Sequence, residues 1–158
     1  MNSSSAIDLR LQELGIQLPS AGSPAAAYVM ANQVDHLVYL SGHIAKKNGG
    51  VWTGKLGQNM TTEEGKVAAR AVAIDLLASL HHHLGNLDRV KRIIKVTSLV
   101  NSTTDYIEHH LVTNGCSELL VEVFDANGKH ARSAFGVAQL PLGACVEIEM
   151  IAEIKPQN

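Results

Sequence analysis

Aromatic side chains are scarce in this chain: one Trp, three Tyr and two Phe make up 4 % of it. Its core must therefore be built from Val, Leu, Ile and Ala, and few rings are left for stacking RNA bases. Cysteine is scarcer still. Cys116 and Cys145 are too few for a disulfide scaffold and read as two buried thiols in a reducing cytoplasm. Basic residues form no block, and the formal charge is −2. Contact with a phosphate backbone normally needs clustered cations, so composition argues against a nucleic-acid partner. Long apolar runs are also missing. The longest charge-free stretch, Leu14 to Val34, contains Pro19, Gly22 and Pro24, which excludes a membrane span there. Met1 to Leu14 carries Asp8, Arg10 and Glu13 and lacks the basic start and apolar run of an export signal. A cytoplasmic protein without a membrane partner is the expectation.

What remains is ordinary globular material: 158 residues, 46 % hydrophobic and 18 % charged. That suffices for one domain with a sizeable core. No repeat or interior linker divides the chain, so residues 1–158 read as a single domain with an N-terminal extension over about 1–24.

Local patterning predicts the elements. Ala6 to Leu14 reads as a short helix ending at Gly15, and Pro19 to Pro24 as a loop. Tyr28 to Asn32 and His36 to Gly42 read as a hairpin turning at Asn32 to Asp35, followed by a polar loop over Lys46 to Gly50. Val51 to Gly57 reads as a short strand or turn. Thr61 and Glu64 have capping-box spacing, and apolar residues recur from Val67 to Leu84 ahead of Gly85, so a long helix is expected between them. Lys91 to Val100 reads as a strand. Asp105 to Phe124 reads as a second helical region, interrupted near Asn114-Gly115.

Two strands, Arg132 to Ala138 and Cys145 to Ile154, flank the turn Leu140 to Gly143. Alternation groups Arg132, Ala134, Gly136 and Ala138 on one face of the first strand. It groups Val146, Ile148, Met150, Ala152 and Ile154 on one face of the second, with Glu147 and Glu149 opposite. The apolar faces should lie under two helices. The small residues of the first strand suggest close packing by a neighbouring subunit, and Arg132 and Glu147 are expected to share that small-residue face.

His130-Ala131-Arg132-Ser133, Leu140-Pro141-Leu142-Gly143 and Val146 to Ala152 together resemble the C-terminal signature of the Rid/YjgF family. Tyr28-Val29, Ser41-Gly42-His43-Ile44, the long first helix and Ile94 to Thr97 fall in matching order. The likeness covers about Ala25 to Ile154. It implies an α+β, chorismate-mutase-like fold, with two main helices on one face of a sheet, assembled as a homotrimer with clefts between subunits. It also implies hydrolysis of enamine or imine intermediates derived from amino acids to 2-keto acids and ammonia, with no cofactor and no metal.

By the same resemblance Arg132 grips the substrate carboxylate and Glu147 positions water. Tyr28 and Ser41 line the cleft, and Gly42 and Ala134 turn backbone groups to the ligand. The family's helix asparagine falls at Ser117 on counting back from Phe124, while Asn114 is the nearest actual asparagine. Ala26-Ala27 replaces the usual Gly-Pro before the tyrosine, and the 105–124 region is longer than usual, which marks a divergent branch. The residue types suit the chemistry. An Arg fork binds carboxylate through two charge-assisted hydrogen bonds, and a glutamate can orient and deprotonate water.

Other readings stand beside it. A Rid-like trimer could hold a small carboxylate without turning it over, or act as a ribonuclease or translation inhibitor. Arg132 and Glu147 could instead form an ion pair across a subunit contact. His81-His82-His83 and His109-His110 prompt a metal site, but adjacent helical residues point apart and cannot close round one ion. Cys145 as a nucleophile lacks a histidine in its strand neighbourhood.

Overall fold

A computed structural model describes residues 5–156; Met1 to Ser4, at the start of the N-terminal extension, and the last two residues lie outside the described residues. Helix α1 (Ala6–Glu13) begins where the Ser5 hydroxyl accepts the Asp8 N–H at 3.0 Å. It is tied down by the Asp88 carboxylate, which accepts the N–H groups of Ala6 and Ile7, and by Arg10 Nε donating to the Glu122 carbonyl.

Strands β1 (Ala31–Val34) and β2 (Leu37–Ile44) form the expected hairpin, shifted from its predicted register. The turn is Asp35-His36, and Asp35 takes the positive φ of 50° that a short polar side chain tolerates. Tyr28 to Met30, read as strand, are irregular, with bends at Tyr28 and Met30. The Lys46 to Gly50 loop holds a miniature hairpin, β3 (Lys46–Lys47) and β4 (Gly50–Val51), turned by Asn48 and Gly49 at φ 53° and 79°.

Helix α2 (Thr62–Leu84) opens on the capping box of Thr61 and Glu64 and closes at Gly85 with φ 76°. Strand β5 (Val90–Asn101) follows. Helix α3 (His109–Phe124) starts four residues later than the sequence suggests and runs unbroken through Asn114-Gly115. The glycine there is a packing device: a Cβ on Gly115 would stand 1.9 Å from the Lys66 carbonyl oxygen, so the α2 and α3 backbones touch at this point. Strands β6 (Ala131–Val137) and β7 (Val146–Ile154) complete the chain.

The main sheet has the order β1-β2-β7-β5-β6. Only β5 and β6 are parallel, joined by the α3 crossover. Both long helices lie on one face of this mixed sheet. Val38, Leu40, Val96, Val100, Ile148, Met150 and Ala152 from the strands bury their side chains there with Val72, Leu76, Leu80, Cys116 and Leu120 from the helices. With so few rings, aliphatic side chains fill the core, as composition demanded. Among the described residues no helix is long and apolar enough to cross a membrane.

Candidate functional site

Strand β6 is one edge of the sheet, and its register decides where Arg132 goes. Arg132 sits beside Val96 and Ala134 beside Ser98, two β5 residues without solvent exposure beneath the helices. The Arg132 side chain therefore turns to α3. Its Nη1 donates to Asn114 Oδ1 at 2.8 Å and to Ser117 Oγ at 3.2 Å, and Nη2 reaches the His110 carbonyl at 3.4 Å. Asn114 and Ser117 are three residues apart on one face of α3, so both candidates for the helix position meet the same guanidinium. The three partners are neutral acceptors. Among the described residues no carboxylate pairs with Arg132, so the ion pair weighed from sequence does not form within one chain. The guanidinium opens on a hollow of about 260 Å³ with Ser117, Val121, Lys129 and His130.

Glu147 lies on the other face. Its neighbours Val146 and Ile148 are fully buried under the helices, and it pairs across the sheet with Leu99 and Ile44. A β-bulge in β2 sets its surroundings: Ser41 and Gly42 together oppose Glu149, while Leu40 faces Met150 and His43 faces Ile148. Gly42 leaves room for the carboxylate, since a Cβ there would fall 2.1 Å from Glu147 Oε1. Burial, then the nearby Glu149 charge, pushes the Glu147 carboxyl above its ordinary range. Tyr28 and Ser41 line a hollow of about 430 Å³ on this open face with Tyr39, Lys95, Thr97 and Glu149. The Ser41 hydroxyl donates to the Val29 carbonyl at 2.6 Å, which pins the chain before β1 to the bulge.

The expectation that Arg132 and Glu147 share one face is thus overturned. Strand β5 separates β6 from β7, and in one chain the two residues occupy opposite sides of the sheet. The small residues of β6 also have another cause. A Cβ on Gly136 would stand 2.5 Å from Ser102 Oγ and 2.6 Å from His109 Nε2, so this face packs on the chain's own α3 end.

Two histidines carry geometry that the sequence reading passed over. His130 accepts from or donates to Ser117 Oγ at 2.9 Å, and its other nitrogen lies 2.7 Å from the Gly128 carbonyl. Its place beside Arg132 in the signature was the only clue. His109 bonds Ser102 Oγ at 3.0 Å under the edge of the Tyr106 ring. Of the helical triplet, His83 bonds Gln33 while His81 and His82 line a separate hollow against α1. Cys116 and Cys145 are buried, and burial pushes their thiols up to about 12 and about 11, so neither is poised as a nucleophile.

Comparison with known proteins agrees with this architecture. Residues 8–154 match the family described as "YjgF/chorismate mutase-like, putative endoribonuclease". Protein TCP17 of Trypanosoma cruzi is 44 % identical over 146 residues, covering 91 % of each chain. The crystal structure of Atu1372 from Agrobacterium tumefaciens, a protein of unknown function, superimposes with a TM-score of 0.87 at 38 % identity, over 94 % of this chain and 92 % of that one. A Shewanella oneidensis protein described as a "putative endoribonuclease" gives a TM-score of 0.91 at 28 % identity, over 95 % and 100 % of the two chains. With the signature residues, the sheet order and this match over nearly its whole length, the chain belongs to the Rid/YjgF family.

Proposed function

We propose that the protein hydrolyses 2-imino acids, and their enamine tautomers, to 2-keto acids and ammonia at a site completed by a second copy of the chain. The observation that carries this reading is the state of Arg132. Its guanidinium is fixed by neutral oxygens of α3 and keeps its full charge for an incoming anion. A planar fork held in this way is pre-organised for a carboxylate. Glu147 on the opposite face has, among the described residues, no hydrogen-bond partner of its own, and a base so placed can hold a water.

The reaction asks little more. The carboxylate of R–C(=NH)–COO⁻ docks on Arg132, and Glu147 takes a proton from the water as its oxygen adds to the imine carbon. That proton passes to nitrogen to give the carbinolamine R–C(OH)(NH2)–COO⁻. Its hydroxyl then loses a proton, which Glu147 returns to the nitrogen as the C–N bond breaks, and ammonia leaves the 2-keto acid behind. Positioning supplies most of the catalysis, because a protonated imine is already electrophilic. Since one chain holds the two residues on opposite faces, Arg132 at the β6 edge of one copy would meet the open face of the next, where Glu147, Tyr28, Ser41 and Gly42 lie. A homotrimer closes three such clefts.

The test generates iminobutyrate or iminopropionate in place and follows its loss against a semicarbazide trap. Wild-type protein should outpace spontaneous hydrolysis. Glu147→Gln should keep ligand binding but slow turnover by about 10²- to 10⁴-fold, the usual cost of a lost general base. Arg132→Ala should impair binding and turnover together. No acceleration across several imines, with Arg132-dependent carboxylate binding intact, would make the protein a binding module instead.

A further inference from the structure

We propose that His130 is a positioning residue that fixes the guanidinium of Arg132 through Ser117, and that protonating His130 loosens it. The hydrogen-bond directions leave little freedom. The Gly128 carbonyl can only accept, so His130 Nδ1, 2.7 Å away, carries the proton. In a neutral ring Nε2 is then a lone pair, and Ser117 Oγ at 2.9 Å must donate to it. The Ser117 hydroxyl, its proton spent on the ring, turns a lone pair to Arg132 Nη1 at 3.2 Å. Asn114 holds the same nitrogen from one turn earlier on α3. The tautomer of one histidine thus sets the orientation of a serine, and the serine helps set the arginine, the way an outer partner orients a working group elsewhere.

The surroundings favour the neutral ring. From β6 it faces Arg132, and Lys129 precedes it in the chain; both line the same hollow. From α3 it faces the uncharged Ser117 and Val121. Strand β5 contributes Lys95, which lies on the opposite face with Nζ on Ser133. These neighbours bring cations and no carboxylate. Burial holds the His130 pKa below the ordinary histidine value; the Gly128 bond opposes this and the Arg132 charge adds to it. When the ring takes its second proton, Nε2 becomes a donor and the Ser117 proton must turn away from it. The Ser117 oxygen then accepts from the imidazolium as well as from Arg132 Nη1, and repulsion between the two cations that share it weakens the guanidinium's anchorage.

The consequence for ligand affinity rests on the reading of Arg132 as a carboxylate clamp; the coupling of the three side chains does not. Nitrogen NMR of the whole protein tests the coupling directly. His130 should carry its proton on Nδ1 at neutral pH, and the Arg132 guanidinium signals should shift with the His130 titration midpoint. In Ser117→Ala that shift should vanish while His130 still titrates. A proton on Nε2 at neutral pH, or Arg132 signals indifferent to His130, would overturn the proposal. Calorimetry with 2-ketobutyrate, which stays ionised between about pH 8 and 5, reads the outcome. Wild-type affinity should fall on acidification by about two- to tenfold, the worth of one hydrogen bond, and His130→Gln should flatten that profile. A glutamine variant weaker by the same factor at every pH, with the wild-type slope, would mean a structural role only and would also overturn it. Arg132 signals that follow His130, combined with binding unchanged in Arg132→Ala, would refute the carboxylate clamp and leave the relay standing.

Discussion

His43 is almost fully buried, with Nδ1 2.6 Å from the Ser41 carbonyl and Nε2 2.7 Å from Ser79 Oγ on α2. The carbonyl fixes the proton on Nδ1, and in the neutral ring Nε2 accepts the Ser79 hydroxyl. Burial is the main cause of its lowered pKa; the Ser41 bond and the Asp75 charge pull the other way, and Lys46 adds to the lowering. Because the unfolded chain then binds its proton first, stability is full above about pH 6.5 and falls as acidification passes from there to the folded pKa. His43→Leu should flatten that part of the stability-against-pH curve in urea unfolding. It should also cost about 1–3 kcal/mol at pH 7.5, because the Ser79 hydroxyl loses its partner in the core. A second residue-scale expectation concerns Arg132. Arg132→Lys keeps the charge but loses the fork held by Asn114 and Ser117, so 2-ketobutyrate affinity by calorimetry should drop about tenfold with the fold intact. The types and order of Arg132, Glu147, Tyr28 and Ser41 were legible in the sequence through the family signature. The His130 to Ser117 bond was not, because it joins residues 13 apart across a turn.

Elements with their own start and stop chemistry could be read directly. The Thr61–Glu64 box and Gly85 delimit α2, and β-branched density marks β5. Elements whose features answer to tertiary packing were misread. Gly115 looks like a helix break, yet it exists because α2 and α3 approach until a methyl group would overlap the Lys66 carbonyl. Gly115→Ala should therefore destabilise despite alanine's better helix propensity, by about 1–3 kcal/mol or more, since backbone cannot move aside as a side chain can. Gly136→Ala should cost less, for it meets only the side-chain ends of Ser102 and His109. Thermal melts of the two variants would compare them, and an unaffected Gly115→Ala would contradict the packing account. Alternation along β6 correctly grouped Arg132, Ala134 and Gly136 but could not say which way that group points. Nor could chain order reveal that β5 inserts between β6 and β7.

At the scale of the molecule, one side of the sheet is covered by helices and the other is open. Tyr39 and Phe135 are 43 % and 45 % exposed on the open side, with Leu99 and Ile151 half-buried between them. Lys95, Glu147 and Glu149 give that surface charge as well, as suits a face met by a neighbour. Phe135→Asp should shift the protein toward monomer in light scattering while leaving its circular dichroism unchanged; an unaltered oligomer would place the interface elsewhere. The central claim, that Arg132 of one copy works with Glu147 of another, has a direct test in subunit mixing. Arg132→Ala and Glu147→Gln proteins, each slow alone, would be co-refolded and assayed for ammonia release from iminobutyrate. A shared site predicts that random mixing restores about a quarter of wild-type activity, because one site in four then pairs an intact Arg132 with an intact Glu147. Activity no higher than the average of the two separate variants, with mixed oligomers verified by mass, would contradict it.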